Sequence, residues 1–280
     1  MGRWTLGPAL VLTASISVSV SVSVSVSITG VPAEAAARPD PVAALKRKLN
    51  GHGGVRETAV FRSVSGPKKV RLTSRAKTVF EFGGGGIVAS DLRFSSSLGD
   101  SRSIAFLYRV YDWEPKHPDY LPAGKSWIVS KKKNDLFISC GQIRLSDPAV
   151  LRHVLATTTA KRPAGVYDGT RTTLYEGSTT IGALYKLDPS VWVDNVNKPT
   201  GQHASYRKLP VKWRLWLGSD QLVRRCQTRY DEPYSTWNVE DRRVVITDER
   251  YSGWHDSIDV KPPPAELVAT HDELVFSDDD

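Results

Sequence analysis

The sequence contains little of what marks a metal site or an active site. It has two cysteines, one methionine and six histidines in 280 residues. Cys-x-x-Cys, His-Glu-x-x-His and Gly-x-Ser-x-Gly are all absent, so it offers neither a zinc motif nor a serine-hydrolase motif. The glycine run 83–86 is not followed by Gly-Lys-Ser/Thr, which favours a hairpin over a phosphate loop. We therefore predict a protein that is not an enzyme and needs no metal or cofactor.

Charge is missing from residues 4–33, near the start of the chain. Within this stretch Ser15–Ile28 alternates serine with isoleucine or valine, and small residues surround Ala35 and Ala37. A basic start, an uncharged middle and a small-residue site are the layout of a secretory signal peptide. We predict that residues 1–37 are a signal peptide, cleaved after Ala35 or Ala37, and that the protein is secreted or associated with the cell envelope.

Two other interpretations of this segment remain open. Its length would span a bilayer as an uncleaved anchor, although seven serines make it a poor lipid-facing helix. The alternation is also that of a β-strand. No cysteine precedes Cys140, so the chain has no site for a lipoprotein anchor at this end, and no twin-arginine pair is present.

The two cysteines and the charge distribution suit an exported protein. Cys140 and Cys226 form an even pair, which favours a disulfide in an oxidising compartment, with two buried free thiols as the alternative. The net charge is +8, but residues 38–145 hold 20 basic and 9 acidic side chains, whereas residues 146–280 hold 17 and 20. The basic first part predicts an anionic membrane or cell-wall polymer as partner, unless the charge serves solubility alone. Export argues against nucleic acid.

The periodicity of apolar residues predicts many strands and a few short helices. Val70–Phe82 alternates apolar and charged residues, which indicates a strand with one buried face in an antiparallel sheet. Asp40-Pro41 and Asp147-Pro148 are helix starts. The predicted helices are 41–49, 149–158 and 181–187; the predicted strands are 70–82, 87–94, 104–111, 127–130, 136–144, 211–217, 222–230 and 243–251, with 166–177 as a strand or hairpin and 188–202 as a loop. We predict an α+β fold with one domain over residues 38–272 and a disordered acidic tail over 273–280.

Three segments of the second half resemble motifs of a known family. Tyr167–Gly177, YDGTRTTLYEG, is similar to its DG-x-x-T-x-x-Y-x-G strand. Leu209–Arg225, LPVKWRLWLGSDQLVRR, is similar to its hairpin, and Tyr251–Pro263 is similar to its closing segment. The family is the LolA/LppX-like set of exported bacterial proteins, in an actinobacterial-type form without the anchoring cysteine. The resemblance covers roughly residues 165–270.

The resemblance implies a curved antiparallel β-sheet, a half-barrel or unclosed barrel, with short helices on its concave side. In some members the cavity between them holds a lipid or acyl chains. One-sided apolar strands need a cover, and an incomplete cover leaves an apolar pocket. The candidate ligand-binding residues of the cavity wall are Leu72, Phe80, Phe106, Tyr108, Trp213 and Leu215. The same side chains would equally suit a filled core.

Two functions follow as predictions, and an exported hydrolase of unrecognised type is kept as a third hypothesis. The first is a secreted, non-enzymatic monomer that binds a lipid or another hydrophobic ligand in the half-barrel. The alternative is a cell-surface or cell-wall interaction module that uses a basic outer face and has no ligand cavity.

Overall fold

The structure is a computed structural model that describes residues 40–65, 70–113, 120–191, 204–233 and 242–274. The predicted signal peptide and most of the predicted acidic tail lie outside these ranges, as do residues 192–202 of the predicted loop.

Most of the described chain is β-structure. In chain order the strands are β1 (Gly53–Ser65), β2 (Val70–Gly83), β3 (Gly86–Ser96), β4 (Gly99–Phe106), β5 (Arg109–Trp113), β6 (Trp127–Ser130), β7 (Ser139–Cys140), β8 (Ile143–Arg144), β9 (Thr158–Tyr167), β10 (Thr170–Thr180), β11 (Pro210–Gly218), β12 (Val223–Pro233), β13 (Arg242–Ser252) and β14 (Val268–Thr270).

Twelve of these strands form one curved sheet in the order β14-β6-β5-β4-β3-β2-β1-β13-β12-β11-β10-β9. Every neighbouring pair is antiparallel except β14 and β6, which are parallel. The long central strand β1 pairs with β2 on one side and with β13 on the other, and so joins the two halves of the sheet. The edge strands β14 and β9 do not pair with each other, so the barrel is not closed. The predicted fold class is confirmed.

Short helices cover one face of this sheet, which we call the inner face; the opposite face is the outer face. The helices are α1 (Pro41–Asn50), α2 (Pro148–Ala156), α3 (Ile181–Leu187) and α4 (Ala204–Arg207). Helices α1 and α2 begin as predicted. The Asp40 side chain accepts a hydrogen bond from the Val42 amide at 2.8 Å, and Asp147 accepts one from the Ala149 amide at 2.7 Å, with proline at the first helical position in each case. Leu45 of α1 and Leu151 of α2 are among the apolar residues that bury the helices against the inner face.

Several strand predictions differ from the structure. Residues 104–111 are not one strand but parts of β4 and β5, because Leu107 and Tyr108 form a turn that carries apolar side chains into solvent. Residues 136–144 hold only the two-residue strands β7 and β8. The sequence prediction misses β1, whose inner-facing residues include a glutamate, and it also misses β14 and residues 158–165 of β9.

The segment Leu136–Asp147, which we call the strap, lies across the inner face. The disulfide between Cys140 of the strap and Cys226 of β12 is present, as predicted, and both cysteines are fully buried. Gly141 has a φ of +53°, and a Cβ there would lie 2.4 Å from the Thr228 hydroxyl oxygen. The strap therefore packs against the sheet more closely than a side chain at that position would allow.

At one position the space between the inner face and its cover is almost filled. A pocket bordered by Leu45, Ile138, Leu151 and Trp254 measures only about 10 Å³. That is about the volume needed for one water molecule. At this position the sheet, the strap and the helices form a packed core rather than a ligand cavity.

Candidate ligand groove on the outer face

Along β2, apolar residues on the inner face alternate with charged residues on the outer face. Phe80 and Phe82 of β2 are buried in the inner core, whereas Lys77 points to the outer face and is exposed. Lys77 lies opposite Arg93 of β3, and Arg93 lies opposite Arg102 of β4. Three cations from adjacent strands are thus neighbours on one face, although they are up to 25 residues apart in sequence.

A second apolar cluster covers only part of this outer face. Ile258 and Val260, in the segment that follows β13, pack on Ala89, Ile104 and Tyr111. The Val260 amide donates a hydrogen bond to Glu81 at 2.9 Å, which fixes the segment against β2. Trp127 belongs to this cluster and is 6% exposed, and the partly buried Trp113 packs against it.

The uncovered part forms a groove of about 580 Å³ across β2–β6. This volume lies within the range of small-ligand sites, about 300–1,000 Å³. The residues that line it are Arg75, Ala76, Lys77, Arg93, Phe94, Ser95, Asp100, Ser101, Arg102, Trp113 and Trp127. We call it the outer groove.

Two indoles line one side of the outer groove, of which Trp127 is almost fully buried and Trp113 is partly exposed. The ring centroids of Trp113 and Trp127 are 6.5 Å apart. The Arg102 guanidinium lies 5.4 Å from the centroid of the Trp127 ring, within the range of a cation–π contact. Arg102 also donates two hydrogen bonds to Asp91, at 2.9 and 2.8 Å, and this carboxylate raises the pKa of Arg102. The pairing holds Arg102 in place and fixes the wall beside the rings.

The other cations of the outer groove have no such partner. Arg75, Lys77 and Arg93 are exposed, and no carboxylate among the described residues lies within 4.0 Å of any of them. Asp100 is the single acidic residue in the lining given above. Like charges directly opposite each other across strands destabilise a sheet, so an anion bound between Lys77 and Arg93 would relieve the repulsion between these two side chains.

The structure does not bring the six predicted wall residues together. Phe80, Trp213 and Leu215 lie in the inner core, and the most exposed of the three, Phe80, is 6% exposed. Phe106 packs against the apolar cluster of the outer face. Leu72 and Tyr108 are 50% and 67% exposed. None of the six is among the residues that line the outer groove, and their part in ligand binding remains a prediction.

The sequence predicts some features of the outer groove but not all of its residues. All its cations come from the first half of the chain, where the charge excess predicts an anionic partner. Trp113 and Trp127 are missing from the predicted set. Their signal is weak, because each stands at the end of a short strand, where alternation covers too few residues to show which face is buried.

A separate polar cluster is buried beneath the strap on the inner face. Glu57 is 9% exposed and Glu249 is 1% exposed. Burial raises the pKa of Glu57 to about 7, although hydrogen bonds with Thr78, Tyr251 and Glu249 act to lower it. Burial, with the charge of Glu57, also raises the pKa of Glu249 well above its ordinary value.

Hydrogen-bond geometry also indicates that the Glu249 carboxyl is protonated. The Tyr251 hydroxyl oxygen lies 2.7 Å from the Ser139 carbonyl oxygen and 2.6 Å from Glu249 Oε2. A carbonyl oxygen can only accept and the hydroxyl has one proton, so making both bonds requires a proton on the Glu249 carboxyl. The Gly141 amide donates to Glu249 Oε1 at 3.1 Å. A neutral Glu249 thus joins the strap to β13.

Two further observations concern the described part of the chain. Its helices include none that is both long and apolar enough to cross a membrane. Nor does it group three or more His, Cys, Asp or Glu side chains in a way that could hold a metal ion.

Comparisons with known proteins give distant matches only. No protein-family model matches the chain, and no curated protein matches it significantly. Among solved structures it is similar to a LolA superfamily protein from Nitrosomonas europaea, with 12% identity over 76% of this chain and 91% of that one and a TM-score of 0.26. It is also similar to a DUF1329 family protein from Desulfovibrio piger, with 14% identity over 76% of this chain and 90% of that one and a TM-score of 0.27. Both TM-scores are below 0.5, so these similarities support neither the fold nor the site. The fold follows from the strand order, and the candidate site follows from the side chains described above.

Proposed function

We propose that this protein is an extracytoplasmic, non-enzymatic binding protein that holds an anionic amphiphile in the outer groove. The observation that carries the proposal is the pair of indoles, Trp113 and Trp127, beside three cations that have no carboxylate partner. The apolar part of the ligand would lie on the rings. Its acidic group would lie between Arg75, Lys77 and Arg93.

The energetics favour a ligand with both parts. Each methylene buried on the rings contributes roughly 0.8 kcal/mol, so an acyl chain can supply most of the affinity. An exposed ion pair adds only about 0–1 kcal/mol, so the cations fix the orientation of the ligand more than they hold it. A purely apolar ligand would leave the repulsion between Lys77 and Arg93 in place.

Export is supported by two independent features. The uncharged start of the chain has the layout of a signal peptide. The disulfide between Cys140 and Cys226 is of the kind that persists in oxidising compartments. A protein exported to the cell envelope would meet anionic amphiphiles of the envelope as its ligands.

Quenching of tryptophan fluorescence by a spin-labelled fatty acid, used below its critical micelle concentration, tests the proposal. The doxyl group quenches by contact, so a ligand in the groove should quench chiefly Trp113, which is partly exposed, because Trp127 is only 6% exposed. We expect saturable quenching whose amplitude falls in Trp113→Phe and is retained in Trp216→Phe, the matched control. Trp216 lies on the outer face too, but it packs against Tyr167 and Arg225, outside the outer groove. Equal quenching in the two variants would show that the ligand binds elsewhere.

The charge requirement has its own test. Arg93→Gln should weaken binding of the fatty acid about fivefold, in line with the loss of about 1 kcal/mol for a partly exposed ion pair. Arg171→Gln, an exposed arginine of β10, is the matched control and should leave the affinity unchanged. An uncharged fatty alcohol should bind both variants equally.

The alternative function, a surface module without a ligand cavity, is favoured by one observation. The pocket bordered by Leu45, Ile138, Leu151 and Trp254 measures about 10 Å³ and leaves no room for a guest at that position of the inner face. Such a module would bind a soluble anionic polymer through charge alone, and Trp113→Phe would not change that binding.

A further inference from the structure

An apolar side chain projects from the turn beside the outer groove. Leu98, in the turn between β3 and β4, is 82% exposed, the highest value among the large hydrophobic residues described. The turn is braced by its own hydrogen bonds. The Leu98 amide donates to the Ser96 hydroxyl oxygen at 3.2 Å, and that hydroxyl donates to the Gly99 carbonyl at 3.3 Å. Leu98 is therefore held outside the fold by a defined turn.

The register places this turn at the mouth of the outer groove. Ser95 and Asp100, which lie opposite each other where β3 and β4 approach the turn, both line the groove. Arg75 of β2 is the cross-strand partner of Ser95. Arg93 precedes Ser95 by two residues on the same face of β3, about 7 Å along the strand. An exposed leucine and unpaired cations thus occupy one end of the sheet.

We infer that this end of the sheet docks on an anionic lipid bilayer. Leu98 enters the boundary between headgroups and acyl chains, and Arg75, Lys77 and Arg93 contact the headgroups. The inference deepens the proposed function, on which it rests in part: it makes the bilayer the source of the amphiphile and places the groove mouth against it.

The combination of side chains favours a bilayer over a soluble polyanion. Both partners would attract the three cations through charge. Only a bilayer offers an apolar phase in which Leu98 gains free energy by leaving water. Long basic side chains beside an apolar anchor are also suited to the interface, because their stems lie in the apolar layer while their charges reach the headgroups.

Flotation of the mature protein with phosphatidylcholine vesicles, with and without phosphatidylglycerol, tests the inference. We expect binding only to the vesicles that contain phosphatidylglycerol, and weaker binding as salt is added. Leu98→Ser should reduce the partition coefficient about tenfold, the effect of withdrawing one leucine from the interface. The triple variant R75Q/K77Q/R93Q should reduce it about a hundredfold, because each basic residue near such a surface contributes a factor of roughly five.

A matched triple variant controls for net charge. K46Q/R47Q/R152Q removes the same number of charges from exposed positions of α1 and α2, the helices that cover the inner face. We expect it to keep its partition coefficient within about threefold of the unmodified protein, the effect of net charge alone. A loss as large as that of R75Q/K77Q/R93Q would overturn the inference, because binding would then follow net charge and not the groove end.

Three outcomes separate the inference from its alternatives. If Leu98→Ser binds vesicles as well as the unmodified protein does, while R75Q/K77Q/R93Q does not, then binding depends on charge alone and not on insertion of Leu98 into the bilayer. This result would overturn the inference. If the monomeric fatty acid binds but vesicles do not, the proposed function stands and the inference fails. If vesicles bind with the expected variant effects but the monomeric fatty acid does not, the docking surface stands and the proposed function fails.

Discussion

Replacing Glu57 by glutamine should change how the stability of this protein depends on pH. The pKa of Glu57 rises from 4.5 in the unfolded chain to about 7 in the fold, because burial disfavours its charged form. Each factor of ten in proton affinity corresponds to about 1.4 kcal/mol, so the rise corresponds to about 3 kcal/mol. Glutamine has nearly the same shape as the neutral acid and cannot ionise.

The sign follows from proton binding. Between about pH 4.5 and 7 the folded protein binds more protons at Glu57 than the unfolded chain does, so the free energy of unfolding falls as the pH rises through this window. Above about pH 7 the contribution of Glu57 is fully lost, and Glu249, whose pKa is raised by burial and by the charge of Glu57, acts in the same direction. The lowered pKa values of Asp188, Asp220 and Asp248 act in the opposite direction, and their stabilisation is lost only below about pH 4.

Urea unfolding at several pH values measures the effect. The unmodified protein should be less stable at about pH 8 than at about pH 5, by up to about 3 kcal/mol from Glu57. Glu57→Gln should lose the part of this difference that comes from Glu57, keep the part that comes from Glu249, and be the more stable protein at the higher pH. Glu266→Gln, which changes an exposed acid, is the matched control and should keep the full difference. The reasoning is wrong if Glu57→Gln shows the same slope as the unmodified protein.

Three further predictions concern stability. Replacing Cys140 and Cys226 by serine removes a disulfide that spans 86 residues and should lower the free energy of unfolding by about 4 kcal/mol in the chain-entropy model. Urea unfolding measures this loss against the disulfide-bonded protein, and the reduced protein should show a similar loss. Asp248→Asn weakens the two hydrogen bonds of 2.8 and 2.6 Å from Arg225 and should cost about 2–3 kcal/mol at neutral pH, a cost that shrinks progressively as the pH falls below about 4, through the lowered pKa of Asp248. Trp254→Phe removes a buried 2.8 Å hydrogen bond from the indole nitrogen to a strand carbonyl and should cost about 1–3 kcal/mol, measured as a fall in the thermal midpoint.

Much of the fold follows from local signals in the sequence. The alternation of Val70–Phe82 predicts both the strand and its buried face, and the two Asp-Pro pairs predict where α1 and α2 begin. These predictions succeed because alternation and capping depend on residues within a few positions of each other. The presence of two cysteines is equally informative, since it predicts the disulfide, although it says nothing about which elements they join.

The failures have physical causes of the same kind. Strand β1 carries Glu57 among its inner-facing residues, so the apolar alternation that marks a half-buried strand is broken. The turn between β4 and β5 consists of Leu107 and Tyr108, and apolar residues in a turn conceal it from any pattern that expects polar ones. The strap has buried residues without regular strands, because it packs against the inner face as a cover rather than pairing within the sheet.

The outer groove depends on information that no local pattern contains. Periodicity shows that Lys77 lies on the charged face of β2, but its neighbours Arg93 and Arg102 are set by the pairing register of three strands. A shift of one residue in β3 would turn Arg93 to the inner face and remove the central cation of the site. Whether that face stays open depends in turn on Val260, held to β2 by a hydrogen bond across 179 residues. The charge excess of the first half therefore predicts an anionic partner, whereas the place where that partner binds arises only from the pairing of the strands and the path of the closing segment.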